Sequence, residues 1–183
     1  MIQRLDNILL VVEDLDAVKA FFLDLGLTLE GQQTVEGPDV GKLIGLDNVR
    51  ATLAMLRTPD GQGIELDKFH TPAPIRHGPI NAPVNTLGYR RLMFAVTHLD
   101  ELLTRLQSRG TELIGQMQYG TTFRLAYLRG PEGIIVALAE QLPKVSTPTQ
   151  KTAAGTKPAA RAKATVHEKT TRTSNGARRT RNS

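Results

Sequence analysis

Leu5-Asp6-Asn7-Ile8-Leu9-Leu10-Val11-Val12-Glu13-Asp14-Leu15-Asp16 returns in outline as Tyr89-Arg90-Arg91-Leu92-Met93-Phe94-Ala95-Val96-Thr97-His98-Leu99-Asp100. Val12 and Val96, Leu15 and Leu99, Asp16 and Asp100, Gly26 and Gly110, Leu29 and Leu113, and Gly31 and Gly115 all lie 84 positions apart, with no gap. Further on, Leu56-Arg57-Thr58-Pro59-Asp60-Gly61 returns as Leu128-Arg129-Gly130-Pro131-Glu132-Gly133 at a spacing of 72, so the first copy holds 12 extra residues. A duplicated unit is expected to fold into two matching layers about a pseudo-twofold axis. Positions paired by the repeat then face each other across one cleft, and function is sought there.

Within each copy the pattern changes in the same order. Ile8–Val12 is an apolar, β-branched run of strand length. Acids gather after it, and Val18, Phe21, Phe22 and Leu25 then recur at spacings of three and four, which predicts a helix over about 16–25 stopped by Gly26. In the second copy Leu92–Val96 is the strand, Leu99, Leu102, Leu103 and Leu106 form the helical stripe, and Gly110 is the stop. Three strands follow each helix, placed in the second copy at about 112–116, 123–129 and 134–139. Pro-Asp-Gly and Pro-Glu-Gly supply tight turns, proline presetting φ and glycine allowing it to be positive. The fold class is therefore α+β, two tandem βαβββ modules. Residues 1–142 form the domain, with a first module to about residue 69, a linker over about 70–87 and a second module over about 88–142. Pro72, Pro74, Pro79 and Pro83 make that linker an extended surface segment. Gly31–Val49, the longer stretch of the first copy that takes up the extra residues, is read as a rim or lid loop.

The net charge of +5 is unevenly spread. Residues 143–183 hold ten Lys and Arg against one acid, a net +9, which leaves −4 on residues 1–142. The 143–183 segment contains no aromatic residue and too few apolar ones to offset the entropy of ordering, so a disordered basic tail is expected. Its cations, Arg178, Arg179 and Arg181 foremost, offer weak nonspecific contact with nucleic-acid phosphates. No apolar run approaches the roughly 20 residues of a membrane span, no basic-then-apolar leader precedes the first strand, and cysteine is absent. The expected location is cytoplasmic, with no membrane partner. The four histidines form no cluster by spacing, and no nucleophile elbow, P-loop or dinucleotide fingerprint is present.

The strand-then-Asp-Leu-Asp opening, the Arg-x-Pro-Asp/Glu-Gly turns before the last strand of each module and the glycine-stopped helices resemble the vicinal oxygen chelate superfamily. This group includes glyoxalases, bleomycin-resistance proteins and extradiol dioxygenases. The resemblance spans residues 4 to about 142. It implies two modules whose sheets curl around a concave cleft, often completed by a second copy, so a homodimer is expected. It also implies four metal-ligand positions, which fall on Asn7, Glu65, Arg91 and Ala137. Only Glu65 is a good ligand, and Asn7 is a weak one. No metal or other cofactor is expected, and Arg91 is read as an ion-pair partner of Glu65 in place of the ion.

Strand alternation puts Arg91, Met93 and Ala95 on one face and Leu92, Phe94 and Val96 on the other. Asn7, Leu9 and Val11 are likewise expected to line the concave side, beside Ile135 and Ala137. The ligand-contacting set is thus Asn7, Leu9, Arg91, Met93, Ile135 and Ala137, with Arg124 holding an anionic group. Apolar walls with a few convergent polar groups suit a small-molecule ligand. Two functions follow from this cleft. One is a binding protein of the bleomycin-resistance kind. The other is a glyoxalase-like lyase or isomerase in which Glu65 is the general base and Arg91 or Asn7 steadies an enolate.

Overall fold

The computed structural model describes residues 2–143. Eight strands and three helices follow one another as β1 (Asn7–Val11), α1 (Leu15–Leu25), β2 (Thr28–Glu36), α2 (Pro38–Ile44), β3 (Arg50–Arg57), β4 (Gly63–Thr71), β5 (Leu92–Val96), α3 (Leu99–Ser108), β6 (Glu112–Tyr119), β7 (Phe123–Arg129) and β8 (Ile135–Gln141). The strands form two four-stranded sheets of the same topology, β1-β4-β3-β2 and β5-β8-β7-β6. In each, the first strand runs parallel to the last and the remaining pairs are antiparallel. The sequence duplication is therefore a duplication of topology. It extends to detail: the register slips between Leu29 and Gly31 in β2 and between Leu113 and Gly115 in β6, so the repeated glycines mark one bulge in each copy.

The helices form where the acids and apolar stripes predict. Asp14 caps α1, its side chain accepting from the Ala17 amide at 3.0 Å, and Gly26 closes it in the left-handed region at φ 106°. Val18 and Phe22 of α1, Leu99 and Leu106 of α3, and Leu56, Leu66, Leu128 and Leu138 of the sheets are all buried. These side chains belong to one core.

The modules meet through their helices and turns. Arg105 of α3 donates to the Asp24 carbonyl at 2.9 Å, and Arg109 pairs with the Asp24 carboxylate. Glu132, in the short Pro131–Gly133 turn, accepts from the amides of Glu13 at 2.8 Å and Asp14 at 2.5 Å. Gly130 lies so close to the Phe21 ring that a Cβ there would stand 2.8 Å from it.

Three boundaries differ from the sequence reading. The Gly31–Val49 insertion is not a loop: it completes β2, then forms α2 with Pro38 in its first turn, where a missing N–H costs no hydrogen bond. Strand β4 runs on to Thr71, through what was read as the start of the linker. The linker itself is fastened to the second module, since the Ala82 carbonyl accepts from Arg90 and from Arg129. The basic segment from residue 144 onward lies outside the described residues. Among the described residues, no helix is long and apolar enough to cross a membrane.

Candidate functional site

The helix-free face of each sheet carries the candidate residues other than Arg124. In the first sheet Ile64, Leu66, Ala54 and Leu56 are buried toward α1, so alternation turns Glu65, Asp67, Met55 and Leu53 the other way. Register places Leu9 beside Glu65 and Val11 beside Asp67, with Met55 and Leu53 on the far side. Asn7 begins the adjoining strand one step before Leu9, and its Nδ2 donates to Glu65 Oε2 at 2.6 Å. Leu9 is 47% exposed on this face.

Asp67 was not singled out in the sequence. It is only 7% exposed, and its Oδ1 has no hydrogen-bond partner. Burial, with a smaller contribution from the Glu65 charge, pushes its carboxyl up to about 6. A signal was present: an acid two positions after Glu65 in a strand must share its face.

The second sheet carries the other half. Met93 and Ala137 pair across β5 and β8, and Ala137 pairs with Tyr127 across β8 and β7. Arg91 precedes β5 and lays its guanidinium over the Tyr127 ring at 5.6 Å, a cation–π contact. Met93 is 45% exposed, while Ile135 and Ala137 are buried.

The expected residues divide between the two sheets as the repeat predicts, but the expected ion pair between them is missing among the described residues. Asn7, Leu9 and Glu65 belong to one sheet, and Arg91, Met93, Ile135 and Ala137 to the other. Among the described residues no ion pair links Glu65 to Arg91. The physical reason is proximity within each sheet: an amide on the neighbouring strand reaches Glu65, and an aromatic face of its own sheet takes Arg91. Ile135 and Ala137 are buried, and their side chains bring no polar atom to the helix-free face. Arg124 shares the helix-facing parity of Ala126 and Leu128. It forms a bidentate pair with Asp100 and reaches Glu140 at 3.3 Å, while Glu140 accepts from the Leu99 amide at the start of α3. That pair, through its hydrogen bond first, holds Asp100 below the usual carboxylate range. Arg124 ties α3 to its sheet and does not face the other candidates.

A cleft of about 860 Å3 opens at the seam between modules, floored by Ile8, Leu27, Ile64, Phe94 and Leu102. Arg91 and Met93 reach it; Asn7, Leu9, Glu65, Arg124, Ile135 and Ala137 do not. Among the described residues no three His, Cys, Asp or Glu side chains are grouped as a metal site.

The sequence pattern of the Glyoxalase/Bleomycin resistance protein/Dioxygenase superfamily matches residues 4–138. A glyoxalase family protein from Bacillus cereus is 46% identical, with 78% of this chain and 97% of that one covered and a TM-score of 0.75. A glyoxalase family protein from Enterococcus faecalis is 19% identical over 75% of this chain and 98% of that one, with a TM-score of 0.53. The fosfomycin resistance protein FosX from Listeria monocytogenes is 17% identical over 75% and 92%, with a TM-score of 0.50. These two more distant likenesses concern the fold alone. Comparison with curated proteins gives no match. The repeated topology, the matched span and the Bacillus cereus relative together establish that this chain belongs to the Glyoxalase/Bleomycin resistance protein/Dioxygenase superfamily.

Proposed function

We propose that this protein binds a small molecule on the helix-free faces of its sheets and does so without a metal ion. The observation that carries the reading is the state of the four positions where the family resemblance implies ligands. Glu65 is held by the Asn7 amide nitrogen, Arg91 is a permanent cation stacked on Tyr127, and Ala137 has no donor atom. A catalytic zinc ion in a protein usually takes three side-chain ligands and a water, and this donor set does not fit it. Half-exposed Leu9, Val11 and Met93 around those polar groups suit an apolar ligand body with few polar contacts.

A second copy of the chain fits this reading. Met117, Tyr119 and Phe123 add exposed apolar surface to the helix-free face of the second sheet, and such surface is commonly covered by a partner. The lyase or isomerase reading rests on one feature, a Glu65 carboxylate held in place by Asn7 and able to act as a base.

The test is metal analysis and native mass spectrometry of the purified protein, with a lyase assay on hemithioacetal substrates before and after chelation. Binding without metal predicts substoichiometric zinc, nickel and iron, a co-purifying small molecule and no chelator-sensitive turnover. A full complement of retained metal refutes it.

A further inference from the structure

We propose that the helix-free face of the first sheet holds the protonated amine of its ligand, with Asp67 as the buried counter-charge and Glu65 as the second acceptor. The inference rests on the small-molecule reading above and names the ligand class. Two acids stand at alternate positions of β4, on one face of one sheet. Among the described residues, neither takes part in an ion pair. Glu65 has one neutral donor, Asn7, and the buried Oδ1 of Asp67 has none. Leaving a carboxylate oxygen buried without a donor is costly, so this face lacks a group that donates hydrogen bonds and carries positive charge.

The neighbours on that face do not provide one. Asp67 is flanked by Val11 and Leu53, and Glu65 by Leu9 and Met55. The same neighbours select against a divalent ion, which needs several oxygen ligands where these side chains supply none. The Asp67 carbonyl is already occupied, accepting from the Val12 amide at 2.9 Å. A ligand with an ammonium head and an apolar stem meets both demands, donating to the two carboxylates and packing its stem on Leu9, Val11 and Met55.

The test measures binding of benzylamine, benzyl alcohol and manganese chloride to the full chain and to Asp67→Asn and Glu65→Gln, by ligand-observed NMR, with cooperative thermal unfolding as the control for folding. Benzylammonium is expected to bind about tenfold or more tightly than its neutral isostere. That preference should vanish in Asp67→Asn and shrink in Glu65→Gln. If Asp67→Asn does not fold, Glu65→Gln gives the deciding comparison. Equal affinity for amine and alcohol overturns the proposal and leaves the small-molecule reading standing, whereas no binding of either sinks both. A preference for the amine that persists in both variants, or Mn2+ binding that both variants abolish while amine binding is absent, also overturns it.

Discussion

The Asn7 side chain donates to Glu65 across two parallel strands at 2.6 Å, joining the first strand of the first module to its last. The bond crosses 58 positions of sequence and satisfies a part-buried carboxylate with a neutral partner. Asn7→Leu should therefore leave Glu65 without its donor and destabilise the protein by about 1–3 kcal/mol. Asn7→Gln should lose less. Equilibrium denaturation of both variants checks this, and equal stability of Asn7→Leu and wild type would show the bond to be dispensable.

Asp67 gives the fold a pH dependence of known sign. Its carboxyl is raised from 3.8 to about 6, chiefly by burial and further by Glu65. The folded state thus holds the proton more tightly than the unfolded chain, so this contribution to stability is fully present below about pH 4 and is lost as pH rises through about 6. Asp67→Asn should remove that loss and gain about 2 kcal/mol over wild type at pH 8, with little gain at pH 4. Urea denaturation of both proteins across this range is the measurement, and a pH-independent difference would contradict the assignment.

Glu132 fastens the second module to the first helix by accepting from the amides of Glu13 and Asp14. It does so from the left-handed region at φ 54°, where a side chain is strained. Glu132→Ala keeps the strain and loses both bonds, for a cost of about 1–3 kcal/mol. Glu132→Gly loses the bonds but relieves the strain, so it should cost less. The repeat-related Asp60 bonds instead to Thr58 Oγ1 within its own turn, and Asp60→Ala should leave the seam intact. Thermal unfolding of the three variants ranks them.

Gly130 leaves no room for a side chain unless the Phe21 ring shifts, because its Cβ would fall 2.8 Å from that ring. Gly130→Ala should destabilise by about 1–3 kcal/mol through overpacking. Combining it with Phe21→Leu should recover part of that loss. Additive losses in the double variant would show that the two positions do not compete for space.

If a second copy covers the second sheet, Met117→Glu should lower the solution mass toward that of one chain while leaving thermal unfolding cooperative. Light scattering after size exclusion reads the outcome. A wild-type protein that is already monomeric would remove the dimer from the proposal.

The constant 84-residue offset carried the fold because duplication, strand alternation and glycine-stopped helices are all local patterns. It placed both modules and the apolar stripes of their helices, whose Val18, Phe22, Leu99 and Leu106 are buried. Alternation also set Met93 and Ala95, which are exposed, apart from the partly buried Leu92, Phe94 and Val96. The same local rules failed at Gly31–Val49, where one proline and four glycines permit a loop or a capped helix, and only packing chose the helix.

What no spacing could decide was which groups meet. Glu65 and Arg91 have opposite charge, and the repeat pairs them with Ala137 and Asn7; each has a neighbour within its own sheet instead of the other. Arg124 was legible as a cation but not as the partner of Asp100 and Glu140, because those acids come from α3 and β8 and only packing brings them within reach. Asp67 looked like any strand acid until the fold closed over it and left its oxygen without a donor. Sequence determines periodicity and therefore facing; tertiary structure determines distance and dehydration, on which ion pairing and proton affinity depend.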